Sequence, residues 1–280
     1  MLGPDDLVVT GSSLGNPPLP NLVEAAVAGG FAGVSIWPVH SYGPARAAGM
    51  TPAEVRARFD DAGIVVHDVD ALVAWVGAKD PGPPYFEESP AALLFEAAEV
   101  LGARFINVLL TGGPAATLDD CADAFARACD RAAEHGLTAT LEFSSRRLVP
   151  NLASACAVAL GTGRPNAGVT LDTWHHHWGG AGAADVLAAP PGVIRSVQVN
   201  DAPAEEPDDL AWATRHHRLV PGAGAIDLPG IVGALRAIGC DAPLTVEVFD
   251  DGLLARHGVI GAARVLGDAA RAVLTRAGGG

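Results

Sequence analysis

Lysine is almost missing from this 280-residue chain: Lys79 is its sole example among 18 basic residues, which face 32 acidic ones for a formal charge of −14. A surface of that sign repels phosphate backbones, so nucleic acid is not an expected partner. Long apolar runs are missing too. No stretch of about 18 uncharged apolar residues occurs, so no membrane span or membrane partner is expected. The opening MLGPDDLVVT lacks the basic and apolar segments of a secretory leader. Cysteine is scarce: Cys121, Cys129, Cys156 and Cys240 stand singly, with no CxxC pair, as expected of thiols buried as small hydrophobes in a reducing cytoplasm. No GxGxxG follows the first apolar run, and Gly11-Ser12-Ser13-Leu14-Gly15 is not a Walker loop, so nucleotide-fold signatures are absent.

What is present is a large apolar fraction, 49%, with a mean hydropathy of +0.27. That is enough to build the core of one large α/β domain spanning residues 1–280. Short β-branched runs alternate with Ala- and Leu-rich helical ones. Strands are expected at Leu7–Thr10, Gly33–Trp37, Ile64–Val69, Arg104–Leu110, Leu137–Phe143, Gly168–Asp172, Val193–Asn200 and Leu244–Val248. Helices follow at Pro20–Gly29, from the capping box Thr51-Pro52-Ala53-Glu54, from Ser89-Pro90 to Leu101, and at Leu118–His135, closed by Gly136. The series ends with Leu152–Leu160, Ala183–Ala188, Leu228–Ile238 and Val259–Arg276. Eight such units, of about 35 residues each, predict a (β/α)8 TIM barrel rather than a doubly wound sheet.

Side chains alternate across a strand, and the last four strands use that alternation consistently. Thr138, Thr140 and Glu142 share one face, as do Gly168, Thr170 and Asp172, then Ser196, Gln198 and Asn200, then Thr245 and Glu247. Their neighbours are apolar and must meet the helices, so the polar set points into the barrel. Glu142, Asp172, Gln198 and Glu247 therefore converge near the C-terminal strand ends, where sites are built in this fold. The intervals of 30 and 26 residues each match one unit, and the 49 from Gln198 to Glu247 include an insertion at Ala202–Gly224, suited to a lid or substrate wall. Carboxylates brought together in a barrel repel one another and resist burial while charged. A divalent cation resolves that conflict. Four oxygen donors suit Mn2+ first, with Mg2+, Co2+ or Zn2+ as alternatives. The competing reading is a set of hydrogen-bonded core polar groups without metal.

The stretches LEF at Leu141, LDTWHHHW from Leu171, VQVND from Val197, R-x-x-P-G-x-G over Arg218–Gly224 and VEVF from Val246 resemble the xylose isomerase-like barrel family. That family holds sugar-phosphate isomerases and epimerases, ketose 3-epimerases, inosose-type dehydratases and 3-dehydroshikimate dehydratases. The resemblance implies a metal held by Glu142, Asp172, Gln198 and Glu247, a substrate contact at His175, and a substrate-side arginine at Arg218. There are departures. Many members carry His where Gln198 stands, and the Gln form is associated with the dehydroshikimate-dehydratase branch. Ketose 3-epimerases have a Glu and an Arg where this chain has Leu148 and Ala204. Members are often dimers or tetramers, which leaves homo-oligomerisation open.

The chemistry expected is metal-assisted removal of a proton beside a carbonyl of a small polyhydroxy compound. Reprotonation on carbon gives isomerisation or epimerisation, with Glu142 and Glu247 as ligand and base. Loss of a β-hydroxyl gives dehydration, with a histidine as acid or base. The candidate catalytic residues are Glu142, Glu247, His175 and His67, and the candidate substrate contacts are Arg218, His40, Trp174 and Trp37. His176, His177, His216 and His217 are weaker candidates, and Trp75 and Trp178, like Trp37 and Trp174, either wall the pocket or fill space near the rim. An isomerase or epimerase is the first expectation and a lyase the second. A non-catalytic sugar-binding relative follows, and a deoxyribonuclease on the same barrel is disfavoured by the charge.

Overall fold

In the computed structural model, which describes residues 2–77 and 91–278, eight parallel strands close in sequence order. They are β1 (Leu7–Thr10), β2 (Gly33–Ile36), β3 (Val65–Val76), β4 (Phe105–Gly112), β5 (Thr138–Glu142), β6 (Ala167–Asp172), β7 (Ile194–Val199) and β8 (Leu244–Val246). Closure is made where Leu7 of β1 meets Leu244 of β8. Parallel neighbours need long crossovers. These are supplied by α1 (Leu19–Gly29), then α3 (Pro52–Ala62) preceded by the short α2 (Tyr42–Ala47), then α4 (Ala91–Leu101), α5 (Leu118–Glu134) and α6 (Leu152–Gly161). The short α7 (Thr173–Trp178) precedes α8 (Ala183–Leu187), α9 (Leu210–His216) precedes α10 (Leu228–Ala237), and α11 (Asp251–Gly278) closes the chain. The TIM barrel expected from the alternation is the fold observed. The Ser89-Pro90 start expected for α4 lies outside the described residues, and no helix among those described is long and apolar enough to cross a membrane.

Local chemistry explains the element boundaries. Thr51 Oγ1 accepts from the Glu54 backbone N–H at 3.2 Å and Glu54 returns an acceptor to Thr51 N–H at 2.7 Å, the expected capping box, with Pro52 opening α3. Thr117 and Asp120 repeat the device at α5. In α11 the helix breaks at Gly258, whose φ of 62° and ψ of 178° suit glycine alone; the run expected from Val259 begins just past that break.

Alternation places the two faces as expected. Val34, Ile36, Ile106, Val108, Ala139, Leu141, Val169, Leu171, Val197 and Val246 are buried beneath the helices. Each of the Val, Leu and Ile side chains contributes about 1.5–3 kcal/mol when removed from water. Facing the other way, Thr170 Oγ1 of β6 donates to Asn107 Oδ1 of β4 at 2.9 Å. A bond that skips β5 has to cross the interior, so the polar set does point inward.

Strand β3 departs from expectation, running to Val76 rather than ending at Val69. Its apolar tail pairs with the end of β4 from Leu72↔Val108 to Val76↔Gly112, after a register shift beyond Val69. This corrects the placement of His67. It sits near the start of β3, where its carbonyl accepts from Arg104 N–H and its ring packs 4.8 Å from Phe105. His67 thus belongs to the N-terminal side of the barrel, away from the strand ends that build the site.

Candidate metal and catalytic site

The polar ends of β5, β6, β7 and β8 meet as the spacing implied, and their side chains are almost wholly enclosed. Pairing sets Glu142 beside Thr170, Asp172 beside Gln198, and Gln198 beside Thr245. Ligating atoms of Glu142, Asp172 and His175 lie within 4.8 Å of one another, with His175 Nε2 3.7 Å from Glu142 Oε1. Asp172 ends β6 and caps α7: its Oδ1 accepts from Trp174 N–H at 2.7 Å and His175 N–H at 3.4 Å. That cap is why a strand-end aspartate is followed three residues later by a histidine aimed at the same cluster.

Arg218 enters from the insertion after β7 and lies deeper than a rim residue. Its Nη1 donates to Asp172 Oδ2 at 2.7 Å and to Glu247 Oε2 at 3.0 Å, and its Nε donates to the Thr214 carbonyl at 2.9 Å. The guanidinium rests 4.6 Å from the Phe249 ring centre and 5.8 Å from that of Trp174. Trp174 itself, expected to wall the substrate, is fully buried and donates its indole N–H to Thr214 Oγ1. Trp174 is therefore a support beneath Arg218 and not a face of the open site.

The motif around Arg218 is explained by Asp201. This buried carboxylate accepts from the N–H groups of Ala202, Gly222, Gly224 and Ile226, all at 2.9–3.0 Å. Asp201 and Leu219 also exchange backbone bonds next to Arg218. A Cβ at Gly224 would sit 2.2 Å from the Ala202 carbonyl, so only glycine allows this wrap.

Two residues that the sequence reading did not single out complete the site. Asp70 of β3 accepts from Trp37 Nε1 at 2.9 Å and from Asn107 Nδ2 at 3.0 Å, and Asn107 Nδ2 also donates to Glu142 Oε2. Asn107 thereby links Asp70 to Glu142, while Trp37 serves as a holder of Asp70. The signals were an Asn inside the apolar run FINVLL and the alternation Asp68-Val69-Asp70. The second was masked by the expectation that β3 ends at Val69. His40 stacks 5.8 Å from Trp37 at the same end of the barrel. His176 Nε2 donates to the Gly182 carbonyl, and His216 pairs with Asp251, so neither joins the cluster.

The charge balance is unequal: Asp70, Glu142, Asp172 and Glu247 surround the single guanidinium of Arg218. Burial, reinforced by Asp70 and Asp172, pushes the Glu142 carboxyl up to about 8. Burial also raises Glu247 well above the ordinary range despite Arg218, and raises Asp70 despite Asn107 and Trp37. For Asp172, burial is outweighed by Arg218, His175 and Asn200, which hold it at about 2. Burial depresses His175 to about 4, with Arg218 and Arg147 adding to the effect against Asp172, so its ring is neutral near pH 7.

These residues fit a divalent cation. Gln198 Nε2 donates to Glu247 Oε1 at 3.3 Å, but Gln198 Oε1 is buried with no hydrogen-bond partner. A buried carbonyl oxygen without a donor, beside the ionised Asp172 and two glutamates whose burial opposes ionisation, is the environment a hard cation satisfies.

The molecule is a closed (β/α)8 barrel with an acid-rich cluster at its C-terminal strand ends. A family model described as the xylose isomerase-like TIM barrel matches residues 23–272, and the chain belongs to that family. It is 29% identical over 247 residues to a 3-dehydroshikimate dehydratase of Pseudomonas aeruginosa, covering 85% of this chain but 37% of that protein. An inosose isomerase of Bacillus velezensis is 30% identical over 122 residues, covering 43% of this chain and 42% of that one. The chain thus spans well under half the length of the Pseudomonas relative. Among solved structures, the IolI protein with a bound zinc atom superposes with a TM-score of 0.84 at 19% identity, covering 97% of this chain and 98% of that one.

Proposed function

We propose that the protein is a divalent-metal-dependent lyase that removes water from a cyclic polyhydroxy ketone. The carrying observation is which of the candidate bases is free. Both Glu247 oxygens are engaged, by Gln198 and Arg218, and Glu142 Oε2 is engaged by Asn107. His175 is buried, neutral, held through Nδ1 by Ser144 Oγ at 3.3 Å, and presents Nε2 beside Glu142. Proton transfer therefore falls to His175 rather than to a pair of glutamates. The replacement of the epimerase-type Glu and Arg by Leu148 and Ala204 supports the same choice, as does the similarity to a 3-dehydroshikimate dehydratase.

In this reading Glu142, Asp172, Gln198 and Glu247 hold the cation, Mn2+ first with Zn2+, Mg2+ or Co2+ as alternatives, and His175 stays unligated. When bound, the cation supplies Lewis-acid polarisation of substrate oxygens. His175 Nε2 takes the proton from the carbon beside the ketone and, once protonated, gives a proton to the departing β-hydroxyl, which leaves as water. Asn107 and Arg218 hold the carboxylates in place throughout. The substrate is a small polyhydroxy carbonyl compound in the cytoplasm, without nucleic-acid or membrane partners, and homo-oligomerisation is compatible with the reading.

A second reading, isomerisation or epimerisation, shares the first step and returns the proton to carbon; the similarity to inosose isomerases favours it. Incubating Mn2+-loaded protein with 3-dehydroshikimate and with inosose in D2O separates the two. A conjugated product absorbing in the ultraviolet supports the lyase, and deuterium in a rearranged ketone supports the isomerase. Turnover that survives His175→Asn, or equal bound metal in wild type and Glu142→Ala, refutes the assignment.

A further inference from the structure

A cavity of 460 Å3 is lined by His175 and by two arginine-bearing segments. Its volume falls within the range of about 300–1,000 Å3 usual for small-molecule sites. One wall is the loop after β5, carrying Ser144, Ser145, Arg146 and Arg147; the other is the α9 region, ending in Arg215. Three arginines thus line one cavity of a chain with a net charge of −14.

The loop holding two of them is closed. Ser144 N–H donates to the Val149 carbonyl and Arg147 N–H to the Ser144 carbonyl, each at 3.0 Å, while Arg146 takes a left-handed φ of 70° at the bend. The charge inventory then divides. Arg146 pairs with Glu206 across from it, tying the two walls together. Asp209 is committed to capping α9, where it accepts from Trp212 N–H at 2.8 Å. Arg147 and Arg215 have no ion pair among the described residues, and Asp208 and Asp209 are the carboxylates on the same lining. Two guanidinium groups without an ion-pair partner among the described residues thus border the cavity that His175 also lines.

An uncharged polyol gives such a pair nothing to do. Guanidinium forks match the oxygens of a carboxylate or phosphate, the groups they bind most strongly. We propose that the substrate carries an anionic oxygen group, carboxylate or phosphate, clamped by Arg147 and Arg215 in this cavity while its ketone-bearing carbons lie against His175. The proposal rests on the Glu142–Asp172–His175 cluster being the reaction centre, and it adds the charge class of the substrate. Ser144 and Ser145, on the same wall, supply hydroxyls for the intervening substrate oxygens.

Isothermal titration of metal-loaded protein with shikimate, inorganic phosphate and myo-inositol tests it, in wild type, R147A/R215A and R147K/R215K. Both positions are exposed, so the fold is not at stake. Shikimate or phosphate is expected to bind at least tenfold more weakly to the double alanine variant and to recover in part with lysine. Uncharged myo-inositol should be indifferent to both changes. Stronger shikimate than phosphate binding identifies a carboxylated substrate, and the reverse order a phosphorylated one. The inference is overturned when anion affinity is unchanged in the double alanine variant, or when myo-inositol binds as tightly as the anions. Since binding needs no turnover, anion binding without His175-dependent turnover refutes the reaction alone. Such turnover without anion preference refutes the anion clamp alone.

Discussion

Replacing Arg218 with methionine would strand buried carboxylates. In the native site one nitrogen, Nη1, is bound by Asp172 at 2.7 Å and Glu247 at 3.0 Å, and the Arg218 and Asp172 side chains are 2% and 0% exposed. Removing one member of a buried ion pair costs about 3–5 kcal/mol, because the remaining charge has neither water nor partner. Methionine keeps most of the packing on Trp174 and Phe249, so the loss is electrostatic. With an unfolding entropy of about 2.1 cal/mol/K per residue over this chain, that corresponds to a Tm lowered by about 5–9 °C. Asp172 is held at about 2, below its usual 3.8, so wild-type stability from this carboxylate is present above pH 3.8 and is lost as the pH falls towards 2. The difference between wild type and variant should therefore be largest at neutral pH and shrink in acid. Urea unfolding in EDTA at pH 7 and pH 3 reads both effects, and added Mn2+ should recover part of the loss by replacing the missing positive charge. A difference below about 1 kcal/mol at pH 7, or one that does not narrow in acid, would show that Arg218 is not the counterion of this cluster.

Glu142, lifted from 4.5 to about 8 by burial and by Asp70 and Asp172, destabilises the metal-free fold progressively as pH rises through that window. Glu142→Gln should flatten the decline in EDTA, while metal affinity of the wild type should rise up to about tenfold per pH unit between pH 5 and 8; a pH-independent affinity contradicts this. Gly224→Ala forces a Cβ to within 2.5 Å of Asp201 Oδ1 and should cost about 1–3 kcal/mol in urea unfolding together with lost turnover, and an unperturbed variant would mean that the Asp201 wrap does not hold Arg218. His67 is kept neutral by burial and Arg104, which depress it to about 4, so the fold loses stability as pH falls from 6.5 towards 4, where the unfolded chain binds a proton the folded His67 does not. His67→Leu should accordingly be more stable by about 2 kcal/mol at pH 5 with no loss of activity, and an inactive but folded variant would return His67 to the site.

The order of elements, the barrel and the four strand-end ligand candidates were legible because they depend on periodicities the chain carries locally. Alternation of two separates Ala139 and Leu141 from Thr140 and Glu142, and a spacing of one unit per strand brings Glu142, Asp172 and Gln198 side by side. The capping box at Thr51 is likewise a four-residue matter. None of these needs knowledge of what lies across the barrel.

What depends on partners remote in sequence was not legible. Strand β3 was cut short at Val69 because Ala71–Val76 is stabilised by pairing with the end of β4, and that error placed His67 at the wrong end and hid Asp70. The family resemblance implied a substrate-side role for Arg218; in the structure Asp201 folds its loop back and sets the guanidinium between Asp172 and Glu247. Trp174 was expected at the substrate, yet in the helix α7 started by Asp172 it is fully buried beside Arg218. Local periodicity determined which residues face the barrel interior. Only the tertiary structure decided which of them touch, because a buried charge takes its place from the sum of the groups around it, and those come from every strand of the barrel.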